Sequence, residues 1–250
     1  MKLHIGTFNI CHCGDYEHRK ATDPVWVREI NVECTANRIK QLNFDIIGLN
    51  EVYFTGYNEN CVNQEKRLAD IAGYPYVAGA VGAKDGVVSI GNGLLSRYPI
   101  VHVEKIAVDT IPESEREEEG WYEPRVLLIA DIDVNGEIVR VLVSHFGCIL
   151  KEREKIVGKI CELTAKKSID VVMGDFNALP DAEELKPLYK NWISTAQATG
   201  NTECTFASYD PKICIDYIFV NKKFGIDGYT VHKVNTSDHF PISTNIEIKR

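Results

Sequence analysis

Apolar and polar positions alternate with a period of two over short runs broken by Gly, Pro, Asn and Asp, which is the pattern of half-buried strands. It predicts strands at about 2–9, 45–51, 76–81, 86–96, 100–107, 125–133, 138–144, 169–174, 215–220 and 242–248. The sharpest signal is a pair of apolar runs, Val126–Val134 and Glu137–Val143, separated only by Asn135-Gly136. Asn-Gly tolerates the positive φ angles of a type I′ turn, so this segment is a hairpin. A period nearer 3.6 marks helices at about 24–42, 60–72, 151–167 and 181–189, the first with Asp23 as candidate cap and Pro24 in its first turn. Several adjacent strands have no helix between them. That disfavours a doubly wound parallel sheet and favours an α/β fold of two mostly antiparallel sheets with helices outside.

At 250 residues, with no repeat, low-complexity tract or Pro/Ser linker, the expectation is a single domain over 1–250 built on one core. Hydrophobic residues at 44% and charged residues at 26% are ordinary for a soluble protein, and no stretch approaches the roughly 18 apolar residues of a membrane span. No membrane partner is expected. The chain enters its first strand pattern at Lys2 without a basic segment and apolar core of a secretory signal, so the expected location is cytoplasmic and the expected state monomeric. Eight scattered cysteines in a chain of this size read as reduced thiols rather than staples. A net charge of −8 argues against tight, sequence-blind binding to a nucleic-acid backbone, an affinity that comes from Lys and Arg releasing counterions.

Local charge is less even. Glu113–Glu119 carries five Glu in seven residues; it reads as a solvated connection, with the alternative that it borders a site and repels long polyanions. Trp121 and Tyr122 after it read as strand-end packing, with stacking on a base or sugar as the alternative. Lys151, Arg153, Lys155 and Lys159, with Glu152 and Glu154, read as the solvated face of a helix.

Candidate chemistry lies where apolar runs stop. Asn9 closes the first strand, Glu51 the second, His145 the hairpin, and Asp175 with Asn177 the run at 169–174; Asp216 opens another strand, and Asp238-His239 follows in a loop. Each alone has a plain structural explanation, as a turn residue, a cap or a hydrogen-bonded core group. Together they form a kit. Mg²⁺ and similar hard cations take oxygen ligands, which suits Glu51 with Asn9 or Asp238. Asp175, Asn177, His145 and His239 can orient a water and hold phosphoryl oxygens.

Thr7-Phe8-Asn9-Ile10, Asn50-Glu51, Gly91–Arg97, Ser144-His145-Phe146, Gly174-Asp175-Phe176-Asn177, Ile215-Asp216-Tyr217-Ile218 and Ser237–Pro241 resemble, in order, the motifs of the endonuclease/exonuclease/phosphatase superfamily, which includes pancreatic deoxyribonuclease. The resemblance implies a four-layer α/β/β/α sandwich and a Mg²⁺- or Mn²⁺-dependent hydrolase of phosphate esters. By motif, Glu51 resembles the principal metal ligand, and Asn9 a residue ordering metal or phosphate. Asp175 resembles the carboxylate that orients or deprotonates water, and Asn177 a contact to the scissile phosphate. His239 resembles a phosphate-binding or nucleophile-polarising histidine held by Asp216, while Asp238 belongs to the metal side. His145 falls where some relatives carry a phosphate-binding or proton-donating histidine, and Asn92 matches a phosphate-contacting amide. Arg125 has two readings, a phosphate clamp or a surface strand residue. One departure is Asn50-Glu51 in place of the Gln-Glu of many relatives.

The favoured substrate is a compact phosphodiester or phosphomonoester, with DNA or RNA as the alternative and an inactive binding scaffold as a remote one. Cys11-His12-Cys13 with His18 nearby invites a structural zinc reading, but no second spaced Cys/His pair supports it. That segment, with Tyr16, is instead placed beside the pocket, because it follows Asn9 directly.

Overall fold

The computed structural model describes residues 2–16 and 29–248. In chain order the strands are β1 (Lys2–Asn9), β2 (Ile46–Thr55), β3 (Tyr76–Asp85), β4 (Val88–Ser96), β5 (Ile100–Val108), β6 (Arg125–Val134), β7 (Glu137–Val143), β8 (Val171–Asp175), β9 (Ile193–Ser194), β10 (Asp216–Val220), β11 (Phe224–Val231) and β12 (Ile242–Ile248). The α-helices are α1 (Val32–Leu42), α2 (Gln64–Ala72), α3 (Leu150–Lys166), α4 (Lys186–Asn191) and α5 (Thr195–Thr199). The strands form two six-stranded sheets, ordered β11-β12-β1-β2-β4-β3 and β5-β6-β7-β8-β10-β9. Each sheet holds one parallel pair, β1 with β2 and β7 with β8. These pairs are joined through α1 and α3, since a parallel connection needs a crossover.

Period-two alternation sorts the strand residues into layers. Leu3, Ile5, Ile46, Leu128, Val141, Val143, Val171, Met173, Ile218 and Val220 meet in the core between the sheets. Phe8, Ile47 and Leu49 instead pack beneath α1 and α2 with Ile39 and Leu68. Leu142, Val172 and Phe219 pack beneath α3 and α4 with Ile156, Ile160 and Leu188. The layers therefore run α/β/β/α.

The Asn135-Gly136 turn has φ of 57° and 91° at its two residues and closes the β6–β7 hairpin in the expected register. Elsewhere the elements depart from the sequence reading. Asp23, Pro24 and His18 lie outside the described residues, and among the described ones the first helix begins only at Val32, where the Asn31 side chain accepts a hydrogen bond from Cys34 N. The helix at 60–72 splits into a 3-10 turn, Glu59–Cys61, and α2. β11 was unreadable as a strand because Gly225, Asp227 and Gly228 interrupt it and its pairing with β12 slips between Asp227 and Tyr229. The α3 face is not wholly solvated. Glu152 is 3% exposed and accepts a 2.5 Å hydrogen bond from Thr110 Oγ1, and Arg153 Nε donates to Glu184 at 2.6 Å.

One buried side chain ties the sheets together. Asn50, on β2, donates from Nδ2 to Asn92 Oδ1 on β4 at 2.8 Å and to Ser144 O, just past β7, at 3.1 Å. Its Oδ1 accepts from Asp175 N on β8 at 2.9 Å. Such close approach leaves no room at Gly174: a Cβ there would stand 1.8 Å from Ser144 O, and its φ is 142°. Gly174→Ala combines overpacking with a disfavoured backbone, so a loss of about 2–5 kcal/mol is expected. Thermal unfolding should shift down by roughly 5–15 °C at this chain length; an unchanged midpoint would show that the contact can relax.

Candidate active site

Continuing the inter-sheet alternation past the last apolar residue of each strand gives the polar cluster. Leu3 and Ile5 lead to Asn9, Val141 and Val143 to His145, Val171 and Met173 to Asp175, and Ile218 and Val220 run back to Asp216. Alternate residues act as anchors. Phe146 and Phe176, the neighbours of His145 and Asp175, point into the outer core and stack with ring centroids 4.1 Å apart, a contact worth about 0.5–1.5 kcal/mol beyond its buried area.

Glu51 needs a different device. The β2–β4 register shifts between Leu49 and Val52, so both of those side chains face the outer core although they are three residues apart. Glu51 itself adopts φ 56°. This bulge, in a backbone conformation rare outside glycine, turns its carboxylate to the cavity wall. Asn177 lies likewise at φ 47°, with its backbone N–H held by Asp175 Oδ1 at 2.9 Å.

The side chains meet through Asn9. Its Oδ1 accepts from Cys11 N at 3.1 Å, which aims Nδ2 at the acids. Nδ2 lies 3.0 Å from both Glu51 Oε1 and Asp175 Oδ2, and 3.4 Å from His239 Nε2. Two hydrogens serve the two shorter contacts, and His239 Nε2 faces Asp175 Oδ2 at 3.5 Å. Asn9 thus organises the two carboxylates through its amide nitrogen. His239 Nδ1 lies 2.9 Å from Asp216 Oδ2, and Asp216 sits in register with Asp175 across β10 and β8.

On the other side, Arg125 Nη1 donates to His145 Nδ1 at 3.0 Å and pairs with Glu123 Oε1 at 2.6 Å. A guanidinium only donates, so the neutral His145 ring carries its hydrogen on Nε2. That Nε2 is 3.5 Å from Asp175 Oδ2 and 3.3 Å from Asn177 Nδ2. Arg125 is 8% exposed and lines the cavity, so it is not a surface strand residue. Among the described residues its Nε is a buried donor with no partner.

Burial would push all these acids toward the neutral form, and the neighbours decide the outcome. For Asp175, burial is outweighed by His239, His145 and the Asn9 amide, which hold the carboxyl well below its usual range. Glu51 is likewise lowered against burial, by His12, His145, the Asn9 amide and His239. For His239, burial opposes charge, but the Asp216 and Asp175 carboxylates push the imidazole up to about 10. Burial also raises Asp216, so that pair holds one proton between its two members.

The cavity is about 800 Å³ and is lined by Glu51, Asp175, Asn177, His145, His239, Arg125 and Asp238 together. Asp238 belongs to neither close cluster of potential metal donors among the described residues, which are Cys11 with His12 and Glu51, and Asp175 with Asp216 and His239. Asn92 does not line this cavity; its amide nitrogen donates to Val126 O at 2.7 Å and its oxygen receives Asn50. Among the described residues of the segment after Asn9, His12 reaches the cavity wall, while Cys11, Cys13 and Tyr16 are buried. Trp121 is 67% exposed and Tyr57 81% exposed; both line the cavity mouth with Tyr53 and Tyr122. Trp121 is therefore not strand-end packing. Glu113–Glu119 is exposed along its length, and it is the stretch after it, Trp121–Arg125, that borders the cavity.

Residues 6–239 match the sequence profile of the Endonuclease/Exonuclease/phosphatase family. The chain belongs to this family. Its members are phosphoester hydrolases, and solved structures of low identity share the fold. A functionally unknown conserved protein from Enterococcus faecalis V583 superposes with a TM-score of 0.75 at 20% identity, covering 99% of this chain and 100% of that one. The mannosyl-6-phosphatase of Bacteroides thetaiotaomicron VPI-5482 gives 0.70 at 17% identity, with 99% and 100% covered. Truncated Caenorhabditis elegans TDP2 gives 0.67 at 16% identity, with 98% and 97% covered. No curated protein matches the sequence. Among the described residues, no helix is long and apolar enough to cross a membrane.

The raised His239 has a consequence for stability in chelator. A folded value near 10 against an ordinary one near 6.5 means its contribution is complete below about pH 6.5 and is lost as pH rises through about 10. The midpoint of the metal-free protein should fall across that window, and the fall should be shallower in His239→Gln. Parallel slopes for the two proteins would contradict the assignment.

Proposed function

We propose that the protein is a divalent-metal-dependent hydrolase of a compact phosphodiester or phosphomonoester. The observation that carries this reading is the convergence of Glu51, Asp175 and His239 on one Asn9 amide, within 3.4 Å, at the wall of a cavity. The donor chemistry fits a hard cation: Glu51 presents a carboxylate held ionised, 23% exposed at its side chain, in a cavity that Asp175 and Asp238 also line. Glu51 would hold the cation, with Asp238, which lines the same cavity, as a further oxygen donor. When bound, Mg²⁺ or Mn²⁺ supplies positive charge against the phosphoryl oxygens.

The protein's own groups do the positioning. Asp175, kept ionised, accepts a hydrogen bond from the attacking water and orients it toward phosphorus. A depressed carboxyl is a better acceptor than proton sink, so its main work is alignment. His239, fixed by Asp216, presents Nε2 beside that water. His145 Nε2–H, the Asn177 amide and Arg125 bind the non-bridging oxygens and take up the charge that develops on them. The Arg125–His145 contact fixes which ring nitrogen does this.

The cavity volume, about 800 Å³, suits a small ligand. The exposed aromatic mouth of Tyr57 and Trp121 fits the ring of a sugar or base carried on the ester, and the neighbouring mannosyl-6-phosphatase makes phosphorylated sugars the first class to assay. A nuclease reading draws on the same aromatics, but a net charge of −8 disfavours a long polyanion.

Asp175→Ala and His239→Ala should each lower Mn²⁺-dependent hydrolysis of bis(p-nitrophenyl) phosphate or p-nitrophenyl phosphate by about 10²–10⁴-fold. Variants as active as the parent would mean the activity comes from a contaminant. With sugar phosphates, nucleotides, plasmid and oligonucleotides compared side by side, Trp121→Ala should raise KM several-fold on the preferred small substrate with little change in kcat. Salt-sensitive nicking of plasmid at low enzyme would transfer the reading to a nuclease.

A further inference from the structure

We propose that His12 is itself a metal-binding residue, sharing one divalent cation with Glu51 through Nε2; the inference rests on the metal-dependent reading above. His12 follows Asn9 in a turn whose residues Cys11, His12 and Cys13 all have positive φ, of 42°, 58° and 61°. Three consecutive non-glycine residues in the left-handed region are costly, and such strain persists where the surroundings hold it and concentrates at functional sites. Here the ring is held from two sides. It stacks on Tyr53 with centroids 4.2 Å apart and planes 3° from parallel, and its Nδ1 lies 3.1 Å from the backbone oxygen of Glu51.

That second contact determines the rest. A carbonyl oxygen only accepts, so Nδ1 carries the hydrogen, and Nε2 of the neutral ring presents a lone pair. It points at Glu51 Oε2, 3.2 Å away. Two electron-pair donors at that separation need a positive charge between them, either a proton on Nε2 or a metal ion. The spacing suits the ion: bonds of about 2.1 Å at angles between tetrahedral and right-angled put neighbouring ligand atoms about 3.0–3.4 Å apart. The backbone hydrogen bond to the far ring nitrogen is also what histidine ligands of metals ordinarily make. Both residues line the cavity that holds Asp175 and His239, and Cys11 Sγ lies within 4.8 Å of the ligating atoms of both.

An imidazole beside the carboxylate alters the selectivity. Mg²⁺ favours all-oxygen shells, whereas Mn²⁺, Co²⁺ and Zn²⁺ gain from nitrogen donors. The protein should therefore bind Mn²⁺ or Co²⁺ at least about tenfold more tightly than Mg²⁺.

Isothermal titration of metal-free protein with each ion tests this without an activity assay. His12→Gln should weaken Mn²⁺ binding about tenfold or more while changing Mg²⁺ binding much less. Pulsed electron paramagnetic resonance of the Mn²⁺-loaded parent protein should show ¹⁴N coupling, absent in His12→Gln. A parent spectrum without ¹⁴N coupling overturns the inference whatever the variant's stability. So does a folded His12→Gln with parental Mn²⁺ affinity. Glu51→Gln separates the two levels: if it abolishes binding and His12→Gln does not, only the role of His12 fails. If the parent binds no divalent ion, the metal-dependent reading fails with it.

Discussion

The buried amide of Asn50 is the constraint on which the site depends. Its three hydrogen bonds reach β4, the chain just past β7, and the backbone N–H of Asp175, so one side chain on the first sheet sets the position of an acid on the second. A buried amide with all of these partners supplied is worth far more in place than removed, since each orphaned group would carry its full desolvation cost. The bare backbone at Gly174 is the counterpart that lets the sheets come this close. Asn9 repeats the arrangement one strand over, reaching from β1 to Asp175.

This tie makes possible what would otherwise be prohibitive. Glu51, Asp175 and Asp216 are carboxyl groups crowded at the end of an apolar core, where burial and mutual repulsion both oppose ionisation. The protein counters with polar partners rather than exposure: His239 for Asp216, His145 and Asn9 for Asp175, and His12 and Asn9 for Glu51. Arg125, buried beside His145, extends the set to the next strand. The result is a cluster of mutually paired, oriented charges at the cavity wall.

Much of this was legible along the chain because period-two alternation does not stop at the last apolar residue. Asn9, His145, Asp175 and Asp216 all continue an inward-facing series, so polar residues where apolar runs stop marked them as a set, although each alone also had a plain structural explanation. The Asn-Gly hairpin and the two-sheet layering followed from equally local rules. What escaped depended on geometry that residue type does not encode. Glu51 was named from its motif and His12 from its nearness to Asn9, but their directions come from left-handed backbone at residues that ordinarily avoid it, and a bulge has no signature in Leu49-Asn50-Glu51-Val52. Asn50 could be read as a substituted neighbour of a ligand, but its span across two sheets is a long-range property. Trp121 was misplaced because an aromatic beside a strand normally packs, and only the tertiary course of the acidic loop leaves it at the cavity mouth. β11 was hidden by glycines and an edge bulge.

The seam location ties ligand occupancy to the architecture as a whole. Because one wall of the cavity hangs from the first sheet and the other from the second, a molecule gripped by both walls acts as a reversible cross-link through the middle of the sandwich. Neither sheet alone can offer the complete set of contacts, so partial unfolding that slides one sheet from the other forfeits the bound molecule entirely. Its binding free energy is then added to cooperative unfolding rather than to a local loop, and chemistry and fold are held by the same joint.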